Sequence, residues 1–412
     1  MNKWKFVVVL VLAIVGVLYC SCSHSTAPPD PEPPRALTAA EQQVVQSGEN
    51  FGLDFFSQVA AENPDTNVVV SPVSVAMALA MAYNGADGTT REAIQSTIAL
   101  DGLSPLEVNE AFQGLISLLT GLDNDVTMTI ANSIWLREGF QVRQPFIETN
   151  QQYLNADVTS LDFSNPSSAG IMNQWVSDNT NGLIEQIIDP PIDPLTLLFL
   201  INALYFKGDW TRPFNPELTT GQPFYGPTGS VTSCQLMMIN EELPYYESDL
   251  VQVVDLSYGR ELFSMMVILP RPGVHVDSAL YEMTSNSWDH WQGAVGQREG
   301  MLYLPKFELE VGFLLNNALS VLGMVEAFDP SQADFSNISE QIELYITQVI
   351  HKVYIRVDEE GTEAAAVTAI GIGTTSEPPD NFVMRIDRPF LFAIYERHSG
   401  TLLFVGRVTH PN

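Results

Sequence analysis

The chain has 412 residues, 45% hydrophobic and 10% aromatic, ample for a sizeable core. Its 49 acidic residues against 18 basic ones give a formal net charge of −31. That excludes nucleic acids and heparin-like polyanions as partners, because nothing resembles the basic cluster they need. A saline habitat and a cationic target both fit so acidic and lysine-poor a surface, and composition does not separate them.

Lys3 and Lys5 precede an uncharged run over residues 6–19, followed by Cys20-Ser21-Cys22. Fourteen residues are too few for a spanning helix, which takes about 20, but they suit the apolar region of a signal peptide. A cysteine directly after such a run resembles a bacterial lipoprotein cleavage site. Cys22, with small Ser21 before it, is the expected lipidated residue, and residues 1–21 the expected signal peptide. The alternative is a plain secretory signal cut just beyond. The first reading tethers the protein to a bacterial membrane or cell surface, with a lipid anchor as its only membrane contact; the second secretes it. Residues 22–40 carry Pro28, Pro29, Pro31, Pro33 and Pro34, an extended, semi-rigid tether. No linker follows, so residues 41–412 are expected to form one domain.

Residues 41–62 have Val44, Val45, Phe51, Phe55 and Phe56 near helical spacing. Residues 68–70 read as a short strand, and Ser71-Pro72 opens a helix with Ser71 as N-cap. Gly85-Ala86-Asp87-Gly88 ends that helix; no Gly-Lys-Ser/Thr follows, so it is a turn and not a phosphate loop. Residues 127–135, 197–206 and 263–269 alternate as strands do. Residues 172–180 read as helix, stopped by Asn181-Gly182. Residues 307–311 read as strand, and 314–322 as a helix ended by Gly323. Residues 347–357 alternate again, with Val349, His351, Val353, Ile355 and Val357 on one face. Residues 382–386 and 390–395 read as strands. Helices dominate the first half and strands the second, which predicts an α+β fold. Cys234 has no obvious disulfide partner and reads as a core thiol.

Motifs for enzymatic chemistry are missing: HExxH, CxxC, GxSxG and Walker patterns do not occur, and none of the six histidines pairs at metal-ligand spacing. The chain is therefore expected to be no enzyme and to hold no metal or cofactor. His351 stands apart because it shares an apolar strand face; a core histidine satisfied by a hydrogen bond is the plain reading.

The most telling stretch begins at Glu359-Glu360-Gly361-Thr362-Glu363-Ala364-Ala365-Ala366 and runs on to Pro379. Between Glu363 and Glu377 there is no charge, proline or large aromatic residue. The segment is far longer than the two to five residues of an ordinary hairpin loop. Thr362, Ala364, Ala366, Thr368 and Ile370 alternate as small or apolar, as a strand's buried face requires. It reads as a strand not yet in a sheet.

This stretch closely resembles the hinge of inhibitory serpins. Further matches occur in order: residues 67–94 (NVVVSPVSVAMALAMAYNGADGTTREAI), 173–184 (NQWVSDNTNGLI), 200–214 (LINALYFKGDWTRPF), 304–307 (LPKF), 333–336 (ADFS), 350–352 (IHK), 388–392 (RPFLF) and 403–408 (LFVGRV). The resemblance covers roughly residues 41–412. It implies helices packed around three β-sheets, with an exposed reactive-centre loop at about residues 359–379. It also implies a shutter, in which His351 bonds Asn202, Ser71 and Ser74 beneath the central sheet, and a tryptophan, Trp210, at the top of that sheet. Glu359 is expected to pair with a lysine that sequence does not identify.

The function implied is suicide-substrate inhibition of serine proteases. The protease cleaves the loop, and its covalent acyl-enzyme is trapped as the loop enters the sheet. About 15 residues at 3.3 Å each would carry the protease about 50 Å. Counting fourteen residues from Gly361 places the scissile bond at Thr375-Ser376, with Thr374-Thr375 and Ile372-Gly373 as alternatives. No Lys or Arg lies between Arg356 and Arg385, which argues strongly against trypsin-like targets. Thr375, Thr374 and Ile372 suit elastase-like or subtilisin-like pockets. The inhibitor is expected to act as a monomer. The alternative within the family is a non-inhibitory binding or scaffold protein, but residues 362–369 lack the bulky, charged or proline hinge that marks one.

Overall fold

The computed structural model describes residues 34–341, 343–362 and 381–411. The expected signal peptide, Cys22 and most of the tether lie outside the described residues, as do Glu363, Ala364, Ala365, Ala366, Thr375 and Ser376. The chain divides after Arg35, and the unit from Ala36 carries all the described secondary structure.

Six helices lie in the first half: α1 (Ala39–Glu62), α2 (Pro72–Gly85), α3 (Gly88–Thr97), α4 (Pro105–Leu119), α5 (Gln144–Leu154) and α6 (Ser168–Asn179). α1 starts in a capping box: the Thr38 hydroxyl accepts from the Glu41 amide, and the Glu41 carboxylate accepts from the Thr38 amide. α2 opens as expected, with the Ser71 side chain accepting from the Ser74 amide and Pro72 in the first turn. α2 is buried on nearly every side, so its alanines let neighbouring elements approach closely.

The strands are β1 (Val68–Val70), β2 (Val126–Arg137), β3 (Ala156–Leu161), β4 (Leu198–Asp209), β5 (Thr220–Tyr225), β6 (Val231–Glu247), β7 (Val251–Tyr258), β8 (Phe263–Pro270), β9 (Gly296–Pro305), β10 (Phe307–Leu314), β11 (Ile350–Val357), β12 (Gly361–Thr362), β13 (Phe382–Arg385), β14 (Phe390–Glu396) and β15 (Leu402–Val408). One sheet runs β10-β11-β12-β4-β2-β3; the other runs β1-β15-β14-β8-β7-β6-β9-β13, with β5 beside β6. The three sheets of the expected fold merge into two because β6, 17 residues long, pairs β9 along most of its length and β7 at its end. The pairs β2–β3 and β9–β13 are parallel.

Two boundaries differ from expectation. β11 begins at Ile350, so residues 347–349 are not strand, and the Val349 amide is bonded to the Asn316 side chain instead. The helix expected over 314–322 begins at Asn316, and Gly323, at φ 126°, breaks it as expected. A further short helix, Val325–Phe328, follows the kink. Cys234 is buried, and burial raises its thiol pKa.

The main core joins α1, α2 and the facing sides of both sheets. A separate apolar cluster, including Trp135, Met172, Val176, Ile184 and Ile201, lies between α6, its following segment and the six-stranded sheet.

Candidate functional site

β4 and β11 sit on either side of the short strand β12, which is the first part of the expected hinge. Gly361 pairs with Asp209 and Thr362 with Gly208 on β4; Thr362 also pairs with Val357 on β11. Below Thr362, no ladder among the described residues joins β4 to β11. A narrow cleft opens there, lined by Leu204, Phe206, Ile355 and Thr362, with Thr180 and Leu183 following α6. Two strand edges, each a row of backbone donors and acceptors, therefore face each other at the end of the hinge.

Local chemistry holds the hinge in this position. The Trp210 amide donates to the Glu360 carbonyl at 2.6 Å, and the Phe214 amide to the Glu359 carbonyl at 2.8 Å. The Trp210 indole donates to the Asp358 carbonyl at 3.0 Å. Its ring stacks on Tyr258 with centroids 4.4 Å apart. The Tyr258 and Thr362 hydroxyls are 2.7 Å apart. Tyr258 is fully buried, and burial raises its phenol pKa, so it keeps its proton and can donate to Thr362. At Gly361 any Cβ would collide with the Gly208 carbonyl oxygen, so only glycine admits this approach.

The lysine partner of Glu359 is Lys306, at 2.6 Å, and the Thr219 hydroxyl donates to the other carboxylate oxygen at 2.8 Å. Burial acts to raise the Glu359 pKa, but the Lys306 and Thr219 hydrogen bonds outweigh it and hold the carboxyl below its ordinary value. Lys306 lies in the Leu304-Pro305-Lys306-Phe307 stretch. That was the available signal, although no local pattern separated it from the other four lysines.

The shutter differs from expectation. His351 Nε2 accepts from the backbone amide of Ser71 at 2.9 Å, not from a hydroxyl. The Ser71 hydroxyl is occupied as the cap of α2. Asn202 bonds Ser74 and Asn132, not His351, and Asn132 donates onward to the Leu154 carbonyl at the end of α5. β4 and β11 thus reach the start of α2 by separate contacts: Asn202 to Ser74 on one side, His351 to Ser71 on the other. Tyr258, Thr219 and Asn132 were not singled out from the sequence.

Residues 46–411 match the family described as Serpin (serine protease inhibitor). Human neuroserpin is 33% identical over 373 residues, which cover 88% of this chain and 90% of that protein. Tengpin, a thermophilic serpin solved in its native state, matches with a TM-score of 0.82 at 29% identity, covering 92% of this chain and 96% of its own. Human thyroxine-binding globulin, solved with its ligand, matches with a TM-score of 0.83 at 26% identity, covering 91% and 100%. The hinge set between two central strands, the shutter residues gathered at α2 and these matches over nearly the whole folded unit agree: the chain belongs to the serpin family.

Proposed function

We propose that this serpin inhibits serine proteases as a suicide substrate. The observation that carries the reading is Gly361-Thr362 seated between β4 and β11, ahead of the chain's small, uncharged residues. Once the loop is cut, its N-terminal part continues down the cleft as a strand and carries the acylated protease with it. The protease performs the chemistry, and this chain supplies the bait and the free energy. Serpin loop insertion is an established case of stored strain released by cleavage.

Thr375-Ser376 is the proposed bond, and elastase-like or subtilisin-like enzymes are the proposed targets. Cys22 is proposed to carry the lipid that tethers the inhibitor outside the cytoplasm, where it acts as a monomer. Similarity to thyroxine-binding globulin supports a second reading, a carrier that traps no protease.

Incubation with elastase and with subtilisin, followed by denaturing electrophoresis and intact mass, separates the two readings. An adduct that survives denaturation and maps to Thr375 is the expected result. Loop cleavage with no adduct would favour the carrier.

A further inference from the structure

Glu363 is the one charged residue between Thr362 and Glu377. On the insertion reading it is also the one charge that must enter the sheet. Seating an unpaired carboxylate there is costly, so the strand edges that receive it need to supply a partner.

Register locates that partner. Gly361 pairs with Asp209 and Thr362 with Gly208, so the next antiparallel rung on β4 sets residue 363 opposite Lys207. Thr362 also pairs with Val357, so the same rung on β11 sets residue 363 opposite Arg356. Lys207 is the only lysine or arginine of β4, and β11 carries just Lys352 and Arg356. The faces agree as well. Phe206 and Val357 point into the main core, and the Thr362 hydroxyl meets Tyr258 on that side. Side chains alternate along a strand, so Lys207, Arg356 and residue 363 share the opposite face. Lower on that face Ile201 and Tyr354 pack against the cluster under α6. Neighbouring strands lie about 4.8 Å apart, so a carboxylate on the middle strand reaches a cation on either side. Lys207 is half-buried, and its side chain has no partner among the described residues. Arg356 bonds Asp358 through one nitrogen at 3.0 Å, a contact that does not exhaust the several donors of a guanidinium. In a chain with 18 basic residues against 49 acidic ones, composition alone does not supply a cation on each side of one rung.

We infer that Lys207 and Arg356 are positioning residues: together they form the receiving site for the Glu363 carboxylate, which fixes the register of the entering strand and speeds its first rung. Resting on the insertion reading above, this site sets how the acylated protease partitions between trapping and deacylation. The test measures cleaved inhibitor formed per denaturation-stable adduct with elastase, at low salt and at about 1 M salt. Glu363→Gln, Lys207→Gln and Arg356→Gln are each expected to raise that ratio about fivefold at low salt, the upper range for an exposed ion pair. At high salt, where charges are screened within about 3 Å, the variants should approach the unsubstituted protein. Lys207→Glu should lose most of the adduct. Lys207→Glu combined with Glu363→Lys should recover it, which a merely structural role of Lys207 would not allow. Glu363→Gln matching the unsubstituted protein at low salt would overturn the inference, as would an exchanged pair no better than Lys207→Glu alone. If the unsubstituted protein forms no adduct, the insertion reading itself fails and the receiving site falls with it.

Discussion

His351 is a neutral residue by construction. Its Nε2 accepts the Ser71 amide at the N-terminus of α2, where the helix end is itself partly positive. Protonation would set one donor against another beside that positive end. Complete burial lowers the His351 pKa from 6.5 to about 4. Between those values the unfolded chain binds the proton and the folded one does not, so stability falls as pH falls. The contribution is complete above about pH 6.5 and has gone by about pH 4; a shift of this size corresponds to roughly 3 kcal/mol. His351→Gln should cost stability at pH 7.5 through lost packing and hydrogen bonding. Its deficit against the unsubstituted protein should shrink by most of that amount at pH 4, read as the urea midpoint at each pH. A constant deficit would mean that the imidazole does not titrate in the shutter.

The strand β12 is where a single substitution should convert inhibitor to substrate. Thr362 is buried, its hydroxyl against Tyr258 and its backbone between β4 and β11. Thr362→Arg would place an unpaired charge there at a cost of several kcal/mol. The protease should then deacylate before the loop enters, giving cleaved serpin and free enzyme. Undiminished inhibition, measured as moles of variant needed per mole of elastase, would contradict the insertion route. The start of the hinge, Gly361-Thr362, was legible in the sequence, and so was the β11 face: His351, Val353, Ile355 and Val357 are all buried. β7 was not legible. It is buried on both faces, so no period marks it. Tyr258, at its end, meets Thr362 across 104 residues of chain. The Lys306–Glu359 pair and the Gln252–Val383 bond are likewise products of sheet order. The shutter residues were identified, but not which atoms meet, because Ser71 serves both as helix cap and, through its backbone, as donor to His351.

At the scale of the whole molecule, the described edges of β4 and β11 leave a question of balance. Each residue added between them gains hydrogen bonding worth about 1 kcal/mol net per bond. Ordering its backbone costs about 1–2 kcal/mol, so the ladder alone is close to neutral. On the proposed reading, burial of Ala364, Ala366, Thr368 and Ile370 on insertion would tip the balance toward the inserted strand. In the uncut protein, the segment is still covalently joined to β13. Cutting at the proposed Thr375-Ser376 bond would remove that link without altering the composition. Clipped protein should therefore melt about 10 °C or more above intact protein, corresponding to roughly 8 kcal/mol for a domain of this size. Calorimetry before and after limited proteolysis, with the cut located by mass, measures the shift. An unchanged melting temperature at complete cleavage would mean that β4 and β11 gain nothing from the segment, and that this chain binds or is cleaved by proteases without trapping them.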